Sequence, residues 1–182
     1  AVHKADGRII LQLWHMGRLV HPDFLGGAQP VSSSATTAPG YAHTPTGKKD
    51  YVEARALRLD EIPRLIGDYV NAAKNALAAG FDGVQIHSAN GYLLDQFLRD
   101  SINDRTDDYG GSIAHRTRLL LEVMQAVSKA IGAGRTGLRL SPVTPSNDAG
   151  PDSDPQALMS HAVRQLAPLK LAYLHLVEGQ TG

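Results

Sequence analysis

His87, Asn90 and Tyr92 fall within the hexapeptide His87-Ser88-Ala89-Asn90-Gly91-Tyr92. The first two side chains carry N–H donors, and the third carries a phenolic O–H. Two donors aimed at one oxygen stabilise negative charge where it develops. A phenol beside them can deliver a proton to a neighbouring atom. The apolar run Gly83-Val84-Gln85-Ile86 comes just before and reads as a buried strand, so all three groups stand where a strand ends. Each also has a structural reading. His87 would serve as a core histidine satisfied by backbone, and Tyr92 as packing at a helix start.

Two more apolar runs carry polar groups. Ile9–Trp14 contains Gln12 and ends on Trp14, with His15 next. Gly137-Leu-Arg139-Leu-Ser141 holds a cation inside the run and a hydroxyl at its end. A cation in an apolar strand is costly unless something satisfies it. Gln12 and Arg139 therefore either complete a polar network in the core or face a ligand. Trp14 by itself is a packing residue, and His15, His21 and Tyr51 read as loop or structural residues.

The elements that must position these groups follow from the apolar period. After the first strand, a stretch from Val20 to Leu57 is rich in Pro, Gly, Ser and Thr and reads as one long irregular loop of the kind that covers active sites. Asp60 is placed to cap a helix whose apolar face runs Ile62, Leu65, Ile66, Tyr69, Ala73, Ala76, with Pro63 in its first turn and Gly80 closing it. A short helical piece spans 92–98. Ser112 caps the next helix, with Leu120, Met124 and Val127 on its face. Asp154 and Pro155 open another, which Pro168 ends, before a final strand over 171–177. The order is β-loop-α-β-α-β-α-β. Apolar strands alternating with helices imply a parallel sheet covered by helices, either an open doubly wound sheet or part of a (β/α)8 barrel. In such folds ligands sit at the C-terminal ends of the strands, which is where His87, Asn90, Tyr92, Trp14 and Ser141 fall.

Composition excludes several classes. Lys+Arg and Asp+Glu are both 18, so the formal net charge is zero. That balance argues against nucleic acid or an anionic membrane, whose phosphates call for excess Lys and Arg. There is no cysteine, hence no disulfide, thiolate metal site or cysteine nucleophile. No apolar run approaches the roughly 20 residues that span a bilayer. A cytoplasmic address fits this composition. The eight histidines form no H-x-x-H or H-E-x-x-H pair, so no metal site is expected. Gly132-Ala-Gly134-Arg-Thr-Gly137 matches G-x-G-x-x-G by letter, but it closes a helix and opens a strand. A dinucleotide fingerprint does the reverse, so a helix-to-strand turn is expected here.

Taken together, four segments resemble the Old Yellow Enzyme family of FMN-dependent ene-reductases: Leu11–Arg18, Ala79–Leu98, Asn103–Ser112 and Gly137–Pro142. The resemblance covers essentially the whole chain. It implies a (β/α)8 TIM barrel with FMN at its C-terminal face and NADPH or NADH as reductant. It assigns His87 and Asn90 to the carbonyl or nitro oxygen of an activated alkene, and Tyr92 to proton delivery at the α-carbon. Gln12 would meet the pyrimidine edge of the flavin, Arg139 would lie near its N1 and C2 oxygen, and Trp14 would line the substrate pocket.

A closed barrel of this type has all eight strands and about 250 residues. Four strands are legible in these 182 residues, which the resemblance makes the third to sixth of the barrel. Residues 1–182 are thus expected to form a single partial domain, with 20–57 as its covering loop. The strands expected to touch the flavin early in the chain, and the later loops expected to hold its phosphate, are not among them. The N-terminus reads as the tail of a helix. A complementary chain, or the remaining barrel segments, is the expected partner. A non-catalytic assembly piece without flavin is the alternative, and another flavin-dependent barrel dehydrogenase or demethylase is a third.

Overall fold

Four parallel strands form the central sheet of the computed structural model, which describes residues 1–178. They are β1 (Ile10–Leu13), β6 (Gly83–Ser88), β7 (Thr136–Leu140) and β8 (Tyr173–Leu176), side by side in that order. The helices between them are α1 (Ile62–Ala78), the short α2 (Leu93–Leu98), α3 (Ile113–Ile131) and α4 (Pro155–Leu166). The alternation of helix and parallel strand expected from the apolar period is present.

Side-chain period explains how the layers form. Successive strand residues point to opposite faces. Val84 and Ile86 of β6, with Leu138 and Leu140 of β7, join one apolar cluster with Leu65, Tyr69 and Ala73 of α1 and Leu120, Met124 and Val127 of α3. Leu158 and Leu166 of α4 extend it. Each such side chain taken from water contributes roughly 1.5–3 kcal/mol. Gln85, His87, Gly137, Arg139, Tyr173 and His175 are out of phase with that cluster and share the opposite face. The sheet is therefore apolar toward the helices and polar on the other side.

The helix boundaries have local causes. The Ser112 Oγ accepts from the His115 N–H at 3.3 Å, and the Asp154 carboxylate accepts from the Ala157 N–H at 2.9 Å, as expected of N-caps. Pro63 and Pro155 lie at first-turn positions, where no N–H is needed. Asp60 is not a cap. It lies inside a 3-10 turn, Leu59–Glu61, and pairs with the Arg58 side chain at 3.0 Å. Glu61 precedes α1 without a side-chain cap to it; its carboxylate closes the 3-10 turn, accepting from the Arg58 N–H at 2.9 Å while Arg55 grips it from the other side at 2.7 and 2.8 Å. At the far end of α4 the chain runs through a further 3-10 turn, Ala167–Leu169, so Pro168 tightens the helix end rather than stopping it sharply. Gly132 ends α3 at φ 91° and β7 begins at Thr136, so the G-x-G-x-x-G run is the expected helix-to-strand turn. The N-terminal residues His3–Ala5 form a single 3-10 turn.

The stretch from Val20 to Leu57 is more ordered than its composition suggests. Val31–Ser32 (β2) pairs in parallel with Arg55–Ala56 (β5), and Tyr41–Thr44 (β3) pairs antiparallel with Gly47–Asp50 (β4) as a hairpin. Side chains from elsewhere fasten it. Arg105 donates to the carbonyls of Ser33 and Leu57 at 2.9 and 2.7 Å, tying the middle of the segment to its C-terminal end. Ser32 and Ser33 donate to the side-chain and main-chain oxygens of Gln96 at 2.9 and 2.8 Å. Ser/Thr-rich composition reads as loop because these residues compete for backbone hydrogen bonds. Here their hydroxyls serve as tertiary anchors.

Candidate active site

The strand register brings the polar groups into two rows. Gln12 of β1 lies opposite Gln85 of β6, which lies opposite Gly137 of β7, which lies opposite Tyr173 of β8. One step further along the strands, His87 lies opposite Arg139, and Arg139 opposite His175. Trp14, just past β1, completes the upper row. Its ring meets that of Tyr92 edge-on with centroids 4.4 Å apart, and that of His87 at 6.0 Å. The His87 and Tyr92 rings are 5.3 Å apart. Gln12, Trp14, His87 and Arg139 therefore share one face of the sheet, Tyr92 joins them through its ring contacts, and Asn90 lies on the turn that leaves β6.

The turn carrying Asn90 is held from four sides. Asn90 sits at φ 57° and Gly91 at φ 77°, a left-handed pair that lets the chain leave β6 sharply. A Cβ at Gly91 would fall 2.6 Å from the Ser146 carbonyl oxygen, so only glycine fits. The Asn90 N–H donates to the Ser141 Oγ at 2.8 Å, and the Gly91 N–H to Asp95 at 2.9 Å. The amide of Gln96 donates to the Gly91 carbonyl at 2.7 Å, and that of Asn147 to the Asn90 carbonyl at 2.8 Å. Asp95 is fully buried beside Arg99 at 3.0 Å, and Arg99 continues to the carbonyls of Ser141 and Pro142. A buried ion pair whose remaining hydrogen-bonding capacity is used up is tolerable. This one bolts the exit of β7 to the turn after β6.

His87 is only 4% exposed, yet neither of its ring nitrogens has a partner among the described residues. The Nε of Arg139 is orphaned in the same way. Buried polar atoms without partners are rare, because each forfeits its hydration. Both groups therefore fit a ligand that carries oxygens and ring nitrogens. Burial, followed by the nearby Arg139 and His175, holds the His87 pKa down at about 4, so the imidazole is neutral at physiological pH. A neutral ring keeps one N–H as donor without adding a second cation beside Arg139. Burial, with the phenol of Tyr51 close by, pushes the Tyr92 hydroxyl up, and the Asn147 side chain partly opposes this. Tyr92 thus holds its proton at neutral pH.

The depressed pKa of His87 has a consequence for stability. An unfolded histidine takes up its proton near pH 6.5, whereas the folded one resists until about 4. The unfolded state binds more protons in that window, so stability should fall as the pH drops through it. Denaturant unfolding at several pH values is expected to show this slope, and His87→Gln should flatten it. An unchanged slope in that variant would assign the acid sensitivity elsewhere.

Sequence reasoning passed over Gln85, Tyr173, His175 and Asp95. The first three carry a detectable signal. Gln85 sits two residues before His87 within the strand, and Tyr173 and His175 are likewise two apart, so each pair shares a face. Asp95 had no such signal, because its role depends on the pairing of β6 with β7. Tyr51, read as a loop residue, comes near Tyr92 only through the path of the covering segment. His15 and His21 each accept a local N–H, from Gly17 at 3.0 Å and from Asp23 at 3.1 Å, which suits their structural reading. Among the described residues no group of three or more His, Cys, Asp or Glu is placed to hold a metal ion, and no helix is long and apolar enough to cross a membrane.

Comparison with known proteins gives consistent matches. Residues 1–182 match the NADH:flavin oxidoreductase / NADH oxidase family. A putative 12-oxophytodienoate reductase-like protein 1 of Arabidopsis thaliana is 47% identical over 98% of this chain and 53% of its own length. The old yellow enzyme homologue of Zymomonas mobilis superposes with a TM-score of 0.92 at 52% identity, over 99% of this chain and 51% of its own. Morphinone reductase in complex with tetrahydroNAD superposes at 0.89 with 42% identity, over 96% of this chain and 50% of its own. The chain thus spans about half the length of the curated relatives it matches.

Proposed function

Because the chain belongs to the NADH:flavin oxidoreductase / NADH oxidase family, that of the old yellow enzymes, we propose that it reduces activated C=C bonds in enones, enals and nitroalkenes, using FMN and NADPH or NADH. Its four-stranded sheet is part of a (β/α)8 barrel. The observation that carries the activity is the pair of orphaned, buried donors His87 and Arg139 on the polar face, beside the Trp14–Tyr92 ring pair. When bound, FMN supplies hydride to the β-carbon of the alkene.

The side chains of this chain then have separate tasks. Gln12 and Arg139 hold the cofactor. The amide of Gln12 offers both a donor and an acceptor to a ring edge that alternates N–H and C=O. Arg139 favours a flavin that carries negative charge and so raises its potential. His87 and Asn90 donate to the carbonyl or nitro oxygen of the substrate as charge gathers there, each worth roughly 3–4 kcal/mol in such sites. Tyr92 gives its proton to the α-carbon. Trp14, 48% exposed, walls the pocket above them. The segment 20–57 helps cover the site, and its Tyr51 reaches Tyr92.

The remaining barrel segments are part of the same proposal. Among the described residues no further strand pairs with the outer sides of β1 and β8, the two edges of the sheet. Leu174 and Leu176, on the helix side of β8, are 42% and 52% exposed. A cleft of about 580 Å³ opens beside β1, lined by Leu13, Leu65, Tyr69 and Arg55. These features suit further strands and helices on both sides. A cytoplasmic address is proposed with them, on the balanced charge and the absence of cysteine.

The test is spectroscopic. Holoprotein that includes these residues should be yellow, bleach with NADPH without oxygen, and regain its colour on addition of cyclohexenone. Bleached protein that ignores the enone would overturn the ene-reductase reading. Colourless protein that associates with another chain would favour a non-catalytic assembly piece.

A further inference from the structure

The lower row of polar residues is hydrogen-bonded across the whole sheet. The Nε2 of Gln12 donates to the Oε1 of Gln85 at 2.6 Å. The Nε2 of Gln85 in turn donates to the Tyr173 hydroxyl at 3.2 Å and lies 3.3 Å from the Nδ1 of His175. Tyr173 reaches that far because Gly137 lies between them in the row. A Cβ at Gly137 would stand 2.3 Å from the Tyr173 ring, so the ring occupies the space a side chain would take. Gln85 itself is 9% exposed and gives up both ends of its amide to this row. Most of its hydrogen-bonding capacity is thus spent within the sheet.

Its effect falls on Gln12. An amide can present either its oxygen or its N–H₂, and the two arrangements recognise opposite partners. With the Nε2 of Gln85 turned toward the Tyr173 hydroxyl and His175, its oxygen faces Gln12, and Gln12 turns its Nε2 toward that oxygen. That leaves the Gln12 oxygen and its second N–H for whatever binds above the sheet.

We propose that Gln85 is a positioning residue: bridging Gln12 to Tyr173 and His175, it fixes how the Gln12 amide is turned, so that its oxygen and one N–H meet the pyrimidine edge of the flavin. The proposal rests on the flavin reading above but has its own readout. Gln85→Met keeps the length of the side chain and loses both ends of the bridge. FMN should then dissociate about tenfold more readily, the equivalent of one hydrogen bond. The side-chain amide resonances of Gln12 should lose the separation and exchange protection that one committed N–H gives them. Gln85→Glu can still accept from the Gln12 N–H and the Tyr173 O–H, and it should restore both properties. Tyr173→Phe keeps the ring over Gly137 and should show a smaller loss in the same direction.

Wild-type FMN affinity and unchanged Gln12 resonances in Gln85→Met would overturn the proposal. If the wild-type protein took up no FMN, the flavin reading would fall, and the Gln12 resonances would still decide for or against the bridge.

Discussion

Tyr92→Phe should slow reoxidation of the reduced protein by an enone by about 10²–10⁴-fold, the usual worth of a positioned general acid. Reduction by NADPH should be nearly unchanged, because hydride arrival at the flavin needs no proton from this phenol. The split is the point of the experiment. Phe keeps the edge-on contact with Trp14, whose ring centroid is 4.4 Å away, so ring packing is preserved while the hydroxyl, with its proton and its Asn147 contact, is lost. Burial and Tyr51 keep the wild-type hydroxyl protonated, and His87 stays neutral down to about 4. The oxidative step should therefore be flat from about pH 5 to about pH 9, with protonated forms of both groups constant in number. Rapid-mixing measurements of each half-reaction check this. Equal slowing of both halves would mean that Tyr92 shapes the site without donating to substrate.

His87→Leu should cost about 10²–10³-fold in the same oxidative step, as loss of one donor to a developing oxyanion does elsewhere. The physical basis is the orphaned ring. A donor that is buried, neutral and unpartnered in the free protein has already lost its hydration, so it need not reorganise when charge appears. His87→Asn keeps an N–H donor on a shorter side chain and should recover part of the rate. The loss should fall on the rate constant at saturating enone more than on enone binding, because the oxygen carries most charge in the transition state. A pure KM effect would make His87 a substrate anchor only.

Much of this site was legible in the chain itself. His87 at the end of one apolar run, and Gln12 and Arg139 inside two others, stood out as polar groups that need a partner or a ligand, whereas the strands read as covered by helices and only the structure shows one sheet face to be polar. The helix faces of α1, α3 and α4 follow from apolar residues three and four apart, and their Ser112 and Asp154 caps formed where expected. The cap expected at Asp60 did not form because a 3-10 turn, Leu59–Glu61, precedes α1, and Arg55 reaches in from another element to hold Glu61 in that turn. The segment 20–57 was misjudged in its degree of order for a similar reason. Ser32 and Ser33 are held by Gln96, and Arg105 ties Ser33 to Leu57, and neither contact has any periodic trace in sequence.

The sequence by itself therefore determined which groups are present and that they leave the sheet at one end, because side-chain alternation and the β-to-α order are local properties. The tertiary structure alone decided how those groups are tuned. Register sets His87 opposite Arg139, and that proximity together with burial keeps the imidazole neutral. The space above Gly137 lets Tyr173 cross to Gln85 and so commits the Gln12 amide. Electrostatics and hydrogen-bond direction depend on distances between strands, and those distances exist only once the strands have paired.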